Sequence, residues 1–211
     1  METDGDQNLN PWFSIWTKPR QTIQQIVDSN PDRLVLLLAA IAGISGSLDQ
    51  LAARHSGDRY DLPIIFAMAA IAGPISGIIG LYIGGAVLRW TGTWIGGEAL
   101  SKNIRAAMAW SSVPIIWLSL LWIPEVALFG DELFKSETPL IDSSETLLFS
   151  FIGFGLVEVV VATWGFVVFL KCLGQVQRFS AWKALGNSLI SALVIVIPLV
   201  VIAMGIGAVS T

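Results

Sequence analysis

Hydrophobic positions gather in five long runs, roughly residues 33–49, 63–88, 104–127, 147–170 and 184–208, separated by short polar segments. A helix needs about 20 apolar residues to cross the hydrocarbon core of a bilayer. Four runs meet that length, while the first, apolar from Leu34 to Leu48 apart from Ser45 and Ser47, needs its flanks or neighbours. The runs are continuous rather than alternating in segments of about ten residues, which excludes a β-barrel. The pattern predicts an all-α integral membrane protein with five transmembrane helices in residues 31–211, short interfacial amphipathic helices in 11–30 and a disordered acidic tail in 1–10. That tail, METDGDQ, lacks a basic region and no cleavage site follows the first run, so the run reads as an uncleaved anchor.

The segment NPWFSIWTKPRQTIQQIVDSNP, residues 10–31, carries its own punctuation. Asn10 is placed to cap a helix opening at Pro11, Pro19 to open a second, and Asn30 with Pro31 to end it. Trp12, Ile15 and Trp16 fall on one side of the first helix, with Ile23, Ile26 and Val27 following on the second, while Lys18 and Arg20 stay polar. Tryptophan beside basic groups just before a spanning helix describes a segment lying at headgroup level. Two uses fit it: an anchor that orients the first span, or a docking element for a partner or lid over a cytoplasmic cavity.

Composition agrees with a bilayer as solvent. The 211 residues are 54% hydrophobic and 13% charged, with nine tryptophans, too little polar surface to close around a soluble core. The distribution of Lys and Arg adds a direction. Lys18, Arg20, Arg33, Arg89, Lys102, Arg105, Lys171, Arg178 and Lys183 fall on one side of the five-run plan, and only Arg54, Arg59 and Lys135 on the other. Positive residues mark the cytoplasmic side, so the chain is expected in the cytoplasmic membrane with its N-terminus inside and its C-terminus outside.

Inside the spans, small and ionisable residues stand out. Ala69, Gly73 and Gly77 repeat every four residues on the second run, with Ser76, Gly80 and Gly84 as a neighbouring row, and Ala39, Gly43 and Ser47 repeat likewise on the first. Such rows let helix backbones approach closely, within one bundle or between two copies of the chain. The second run, about 39 Å long as a helix, exceeds the hydrocarbon thickness, and Pro74 gives it a place to bend. Glu158 is the one carboxylate read as lying at mid-membrane, with Ser76 at a similar depth as its expected neutral partner. A charged acid there costs about 2.5–3.5 kcal/mol on insertion scales, so Glu158 is expected to be neutral, hydrogen-bonded or facing a wet cavity.

Catalytic and metal-binding constellations are missing. The single histidine, His55, and the single cysteine, Cys172, exclude a Ser/His membrane protease, a multi-histidine metal site and an internal disulfide. Asp131, Glu132, Glu137, Asp142 and Glu145 match no calcium-loop spacing and read as a solvated acidic loop. No cofactor motif is present: Gly96 and Gly97 follow Trp94 without the Lys-Ser/Thr of a phosphate loop.

Two loops on the basic side, residues 88–114 and 171–188, alternate aromatic rings with basic groups. Their most distinctive wording is Trp94, Gly96 and Gly97; Ala109, Trp110, Ser111, Ser112 and Pro114; and Phe179, Ser180, Trp182, Lys183 and Ala184. With the five-span plan, these runs resemble the Yip family of Ypt/Rab-interacting membrane proteins, in its bacterial and archaeal branch, over residues 11–208. The resemblance implies an integral membrane protein with a cytoplasmic N-terminus. Eukaryotic members of that family are associated with Rab GTPases, but their Asp-Leu-Tyr-Gly-Pro motif is absent: the only tyrosines, Tyr60 and Tyr82, lie in other contexts. The GTPase partner is therefore not carried over.

Two functions of different class follow. In one, the chain is a non-enzymatic scaffold whose inner face, through Trp12, Trp16, Lys18, Arg20, Trp94, Lys102, Arg105, Arg178, Trp182 and Lys183, docks lipid headgroups or a membrane or cytoplasmic protein. In the other it is a small transporter or lipid-moving protein, working as a dimer, with Glu158, Ser76 and the glycine-rich second helix lining a path. Neither requires a cofactor, and neither involves nucleic acid.

Overall fold

The computed structural model describes residues 9–209, with backbone alone at 202, 203 and 205–209. Of the tail predicted to be disordered, 1–10, residues 1–8 lie outside this range, while Leu9 and Asn10 are hydrogen-bonded. Leu9 is held by paired amide contacts with Gln25, at 2.9 and 3.1 Å.

Every regular element among the described residues is helical. Helices α1 (Pro11–Thr17) and α2 (Pro19–Ser29) form where the prolines and the cap place them, with Asn10 Oδ1 accepting the Trp12 N–H at 3.2 Å. Thr22, Ile23 and Ile26 form the buried stripe of α2. Five helical segments are long and apolar enough to cross a membrane. The first is α3 (Val35–Ala53), extended past the predicted boundary at residue 49. The second is α4 (Leu62–Trp94), 33 residues and about 50 Å long.

Helices α3 and α4 form a tight hairpin because glycine removes the side chains between them. A methyl group on Gly43 would meet the Gly73 backbone, and one on Gly77 the Ala39 carbonyl. The second small-residue row turns elsewhere. Nothing stands within 4 Å of a Cβ built on Gly80, one on Gly84 meets only the Met108 methyl, and Ser76 is exposed.

The third segment is broken into pieces. Helices α5 (Ser101–Ser111), α6 (Val113–Leu118) and α7 (Trp122–Phe129) are joined at Ser112 and by a 3-10 turn over Ser119–Leu121, with a second 3-10 turn over Gly130–Phe134. Pro114 and Pro124 supply no N–H to the ladder, and the hydroxyls of Ser112 and Ser119 bond back to the Ala109 and Ile116 carbonyls, at 2.6 and 2.7 Å. The short α8 (Pro139–Asp142) leads into α9 (Glu145–Val176), and α10 (Ala181–Val209) completes the bundle.

The main core forms where α1, α2, α3, α4, α5 and α9 meet. Trp110 is fully buried at its centre, donating its indole N–H to the Arg33 carbonyl at 3.2 Å and taking the edge of Trp12 at 5.8 Å between ring centroids. Helix α10 meets α4 and α9 in a second apolar cluster of Leu88, Leu170, Leu173 and Ala184, and buried polar groups add to its contact with α4. Thr91 Oγ1 lies 2.7 Å from Asn187 Oδ1 and 2.6 Å from Ser191 Oγ, and Asn187 Nδ2 donates to the Leu88 carbonyl at 3.0 Å. In an apolar medium such groups hold two helices together because each has few alternative partners.

Candidate functional site

Two regions at opposite ends of the bundle gather the chemistry of the chain. At the basic end, α1 and α2 lie against α5 and α9. Arg20 donates to Gln175 Oε1 and to the Phe179 carbonyl, both at 3.3 Å, and Gln175 returns an amide N–H to Gln24 Oε1 at 3.0 Å. The Trp164 indole donates to the Trp16 carbonyl at 3.1 Å, and the Cys172 thiol, fully buried, faces the Pro19 carbonyl at 3.7 Å. Trp12, Trp16 and Arg20, read from the sequence as docking groups, are thus half-buried and committed to holding α1 and α2 on the bundle.

The remaining basic-end residues stay outward. Lys18, Lys102 and Lys183 are exposed, and Trp182 is 83% exposed at the start of α10. Trp94 stacks edge-on with Trp90 at 4.9 Å, Lys183 lies 4.5 Å from the Phe179 ring and the Arg105 guanidinium 4.9 Å from that of Tyr82. Arg178 pairs with Glu98 at 3.0 Å, with both side chains mostly in solvent. Such exposed pairs contribute at most about 1 kcal/mol, so Arg178 stays available to other anions. The Trp94–Gly97 turn is shaped by Gly96, whose φ of 83° suits glycine, and by Gly97, whose N–H donates to the Gly92 carbonyl at 2.8 Å.

At the other end the structure changes the reading of Glu158. It is not alone: Asp49 on α3 and Glu125 on α7 stand with it around two adjoining cavities of about 280 and 400 Å³, which share Asp49, Trp122 and Glu158 as walls. Glu125 and Glu158 both line the larger of the two. Ser76 takes no part, since it donates to its own helix at the Gly73 carbonyl, 2.9 Å away, and lines neither cavity. The polar group that α3 brings here is Ser45, one turn before Asp49. Asp49 was legible as an acid one position beyond the first apolar run, and Glu125 as one directly after Pro124. Both fall at the ends of their runs, 33–49 and 104–127, where an acid reads as interfacial rather than as mid-membrane.

The loop beyond this cavity is more ordered than a solvated acidic loop. Glu132 is buried and accepts the N–H groups of Leu140 and Ile141 at 2.7 and 3.0 Å, which fixes the start of α8. Asp58 Oδ1 accepts the Ser136 N–H at 3.0 Å, and this bond holds its carboxyl below the usual carboxylate range. His55 Nδ1 lies 3.2 Å from the Lys135 carbonyl. Among the described residues no three His, Cys, Asp or Glu side chains converge as a metal-ligand set.

Searches of curated proteins and of solved structures return no significant match to the chain. The family model of the Yip1 domain does match, over residues 13–203. That range runs from the first residues of α1 into the last turns of α10, taking in the basic-end loops and the acidic cavity alike, and the chain belongs to the Yip1 domain family of membrane proteins.

Proposed function

We propose that this chain is a non-enzymatic membrane scaffold, seated with its basic end on anionic headgroups of the inner leaflet and presenting α1, α2 and the two adjacent loops to a protein partner. The observation that carries the reading is the division of labour at that end. Arg20, Trp12 and Trp16 tie α1 and α2 to the bundle, which leaves Lys18, Lys102, Arg178, Lys183, Trp94 and Trp182 exposed around them. In segments 9–33, 89–105 and 171–183, nine basic residues stand against three acids (Asp28, Asp32 and Glu98), a formal excess of six positive charges. Each Lys or Arg near an anionic surface contributes about 1 kcal/mol of attraction. Exposed tryptophan adds affinity for headgroup depth. The only histidine, at the opposite end, has no place in such a platform, and the basic end gathers no acid–base pair fit for catalysis.

The test is lipid selectivity. Native mass spectrometry of the full chain, reconstituted in mixed phosphatidylcholine and phosphatidylglycerol, is expected to show phosphatidylglycerol enriched among retained lipids. A quadruple Lys18→Gln, Lys102→Gln, Arg178→Gln, Lys183→Gln variant is expected to lose that enrichment while melting near wild type. Equal retention of the two lipids by the wild-type chain would remove the basis of the proposal.

A further inference from the structure

We infer that the cavity walled by Asp49, Glu125 and Glu158 is a binding site for a small organic cation of the alkylated ammonium class. The inference rests on the acidic end of the fold alone and is independent of the platform proposed above.

The first observation is the state of Glu125. Its residue is only 5% exposed and it lines the 400 Å³ cavity, yet no N–H or hydroxyl among the described residues donates to its carboxyl. Buried carboxylates in proteins are paired with a cation or hydrogen-bonded by several donors. No Lys, Arg or His lines either cavity, so the walls offer no basic partner to Glu125, Glu158 or Asp49. A cation entering the larger cavity would meet three carboxyl groups that no basic side chain on its walls engages.

The second observation is the rest of the wall, which is aromatic. Trp122, Phe151 and Phe154 line the same 400 Å³ cavity as the three acids. Each ring is packed against a buried one: Trp122 stacks on Phe134 at 5.3 Å and 17°, and Phe129 meets Phe151 and Phe154 edge-on at 5.6 and 6.0 Å. Aromatic rings and carboxyl groups lining one cavity are the side-chain types that recognise quaternary and alkylated ammonium groups. The volume falls within the range of small-ligand sites.

A third observation separates this class from metal ions. The three acids share one cavity, but they do not converge closely enough to form a metal-ligand set. A dehydrated divalent ion needs several oxygens at about 2.0–2.6 Å, whereas an alkylated ammonium spreads its charge over methyl groups and binds among acids spaced more widely. The cation could be a free amine or the headgroup of a choline lipid, and both present the same chemistry to these walls.

Calorimetric titration of the detergent-purified full chain with tetramethylammonium chloride, against sodium chloride at equal ionic strength, reads the site directly. Saturable heat is expected from tetramethylammonium and none from sodium. Glu125→Gln, which keeps the side chain's size and removes its charge, and Phe151→Leu, which removes a half-exposed ring, are each expected to weaken binding about tenfold or more. Trp122→Ala is the stronger probe, and if it fails to fold the other two variants decide. Phosphatidylcholine retained by the wild type in native mass spectra, and released by Glu125→Gln, identifies the source as a lipid headgroup. Saturable tetramethylammonium binding without retained phosphatidylcholine identifies a free amine. A tetramethylammonium signal no different from sodium's, with no retained phosphatidylcholine, overturns the inference, as does binding unchanged in both Glu125→Gln and Phe151→Leu.

Discussion

At the scale of single residues, the chain uses glycine chiefly to let other groups come close. Gln177 is 1% exposed, donates its amide to the Leu88 carbonyl at 3.2 Å and faces the Ala99 N–H at 3.5 Å, while Gly92 and Gly97 leave the room it occupies. A Cβ on Gly92 would overlap the Gln177 amide, so Gly92→Ala must expel it and leave buried backbone groups without partners. Overpacking of this kind costs about 1–3 kcal/mol. Gly92→Ala is therefore expected to lower the melting temperature in detergent clearly, and Gly80→Ala, where a Cβ meets nothing within 4 Å, to leave it near wild type. Equal melting temperatures for the two variants would contradict this account. The glycines were visible in the sequence, but a sequence shows only that a side chain is missing and not which group fills its place. Gln177 drew no notice at all, being one polar residue in a polar turn.

At the scale of elements, α1 and α2 were legible to within a residue because the signals are local: an Asn cap, two prolines and a three-to-four-residue apolar spacing. What they lie on was not local. Ile15 and Ile23 are fully buried and Ile26 nearly so, and the thiol of Cys172 lies beneath Pro19. As the only cysteine, Cys172 reports whether the two helices are seated. A maleimide is expected to modify it far more slowly in the native detergent-solubilised chain than in the denatured one, and Ile23→Asp, which places a charge in the contact, to raise the native rate severalfold. Rapid labelling of the wild-type chain would show that α1 and α2 do not cover this site. The third apolar run teaches the converse lesson. Its hydrophobicity predicted one helix over residues 104–127, and Pro114 and Pro124 divide it into α5, α6 and α7. Hydropathy measures what a segment is dissolved in, and it is blind to a missing backbone donor.

For the molecule as a whole, the separation of charge is the strongest organising feature, with a basic end built on α1, α2 and the turns after α4 and α9, and an acidic end at the turns after α3 and α7. The charge bias predicts the basic end inside. In a Cys172→Ala background, Lys102→Cys is expected to be protected from a membrane-impermeant reagent in intact cells and Ser136→Cys to be labelled. The reverse pattern would invert the molecule and place the aromatic-walled cavity on the cytoplasmic side.

Span number, helix type, the caps of α1 and α2 and the division of charge were all determined by the sequence alone. Each depends on neighbours within a turn or on partition between lipid and water, and both are properties of a segment by itself. Tertiary structure decided which polar groups meet. Asp49, Glu125 and Glu158 come from three helices, and their meeting depends on how far each helix is rotated and slid along its neighbours. Between α3 and α4 that register is set by Gly43 lying on Gly73 and Gly77, and along the third segment by the breaks at Ser112 and Ser119. A shift of one residue turns a helical side chain by about 100°, enough to move an acid from a cavity to lipid. The packing that excludes such a shift is spread over the whole bundle, and no single run of the sequence contains it.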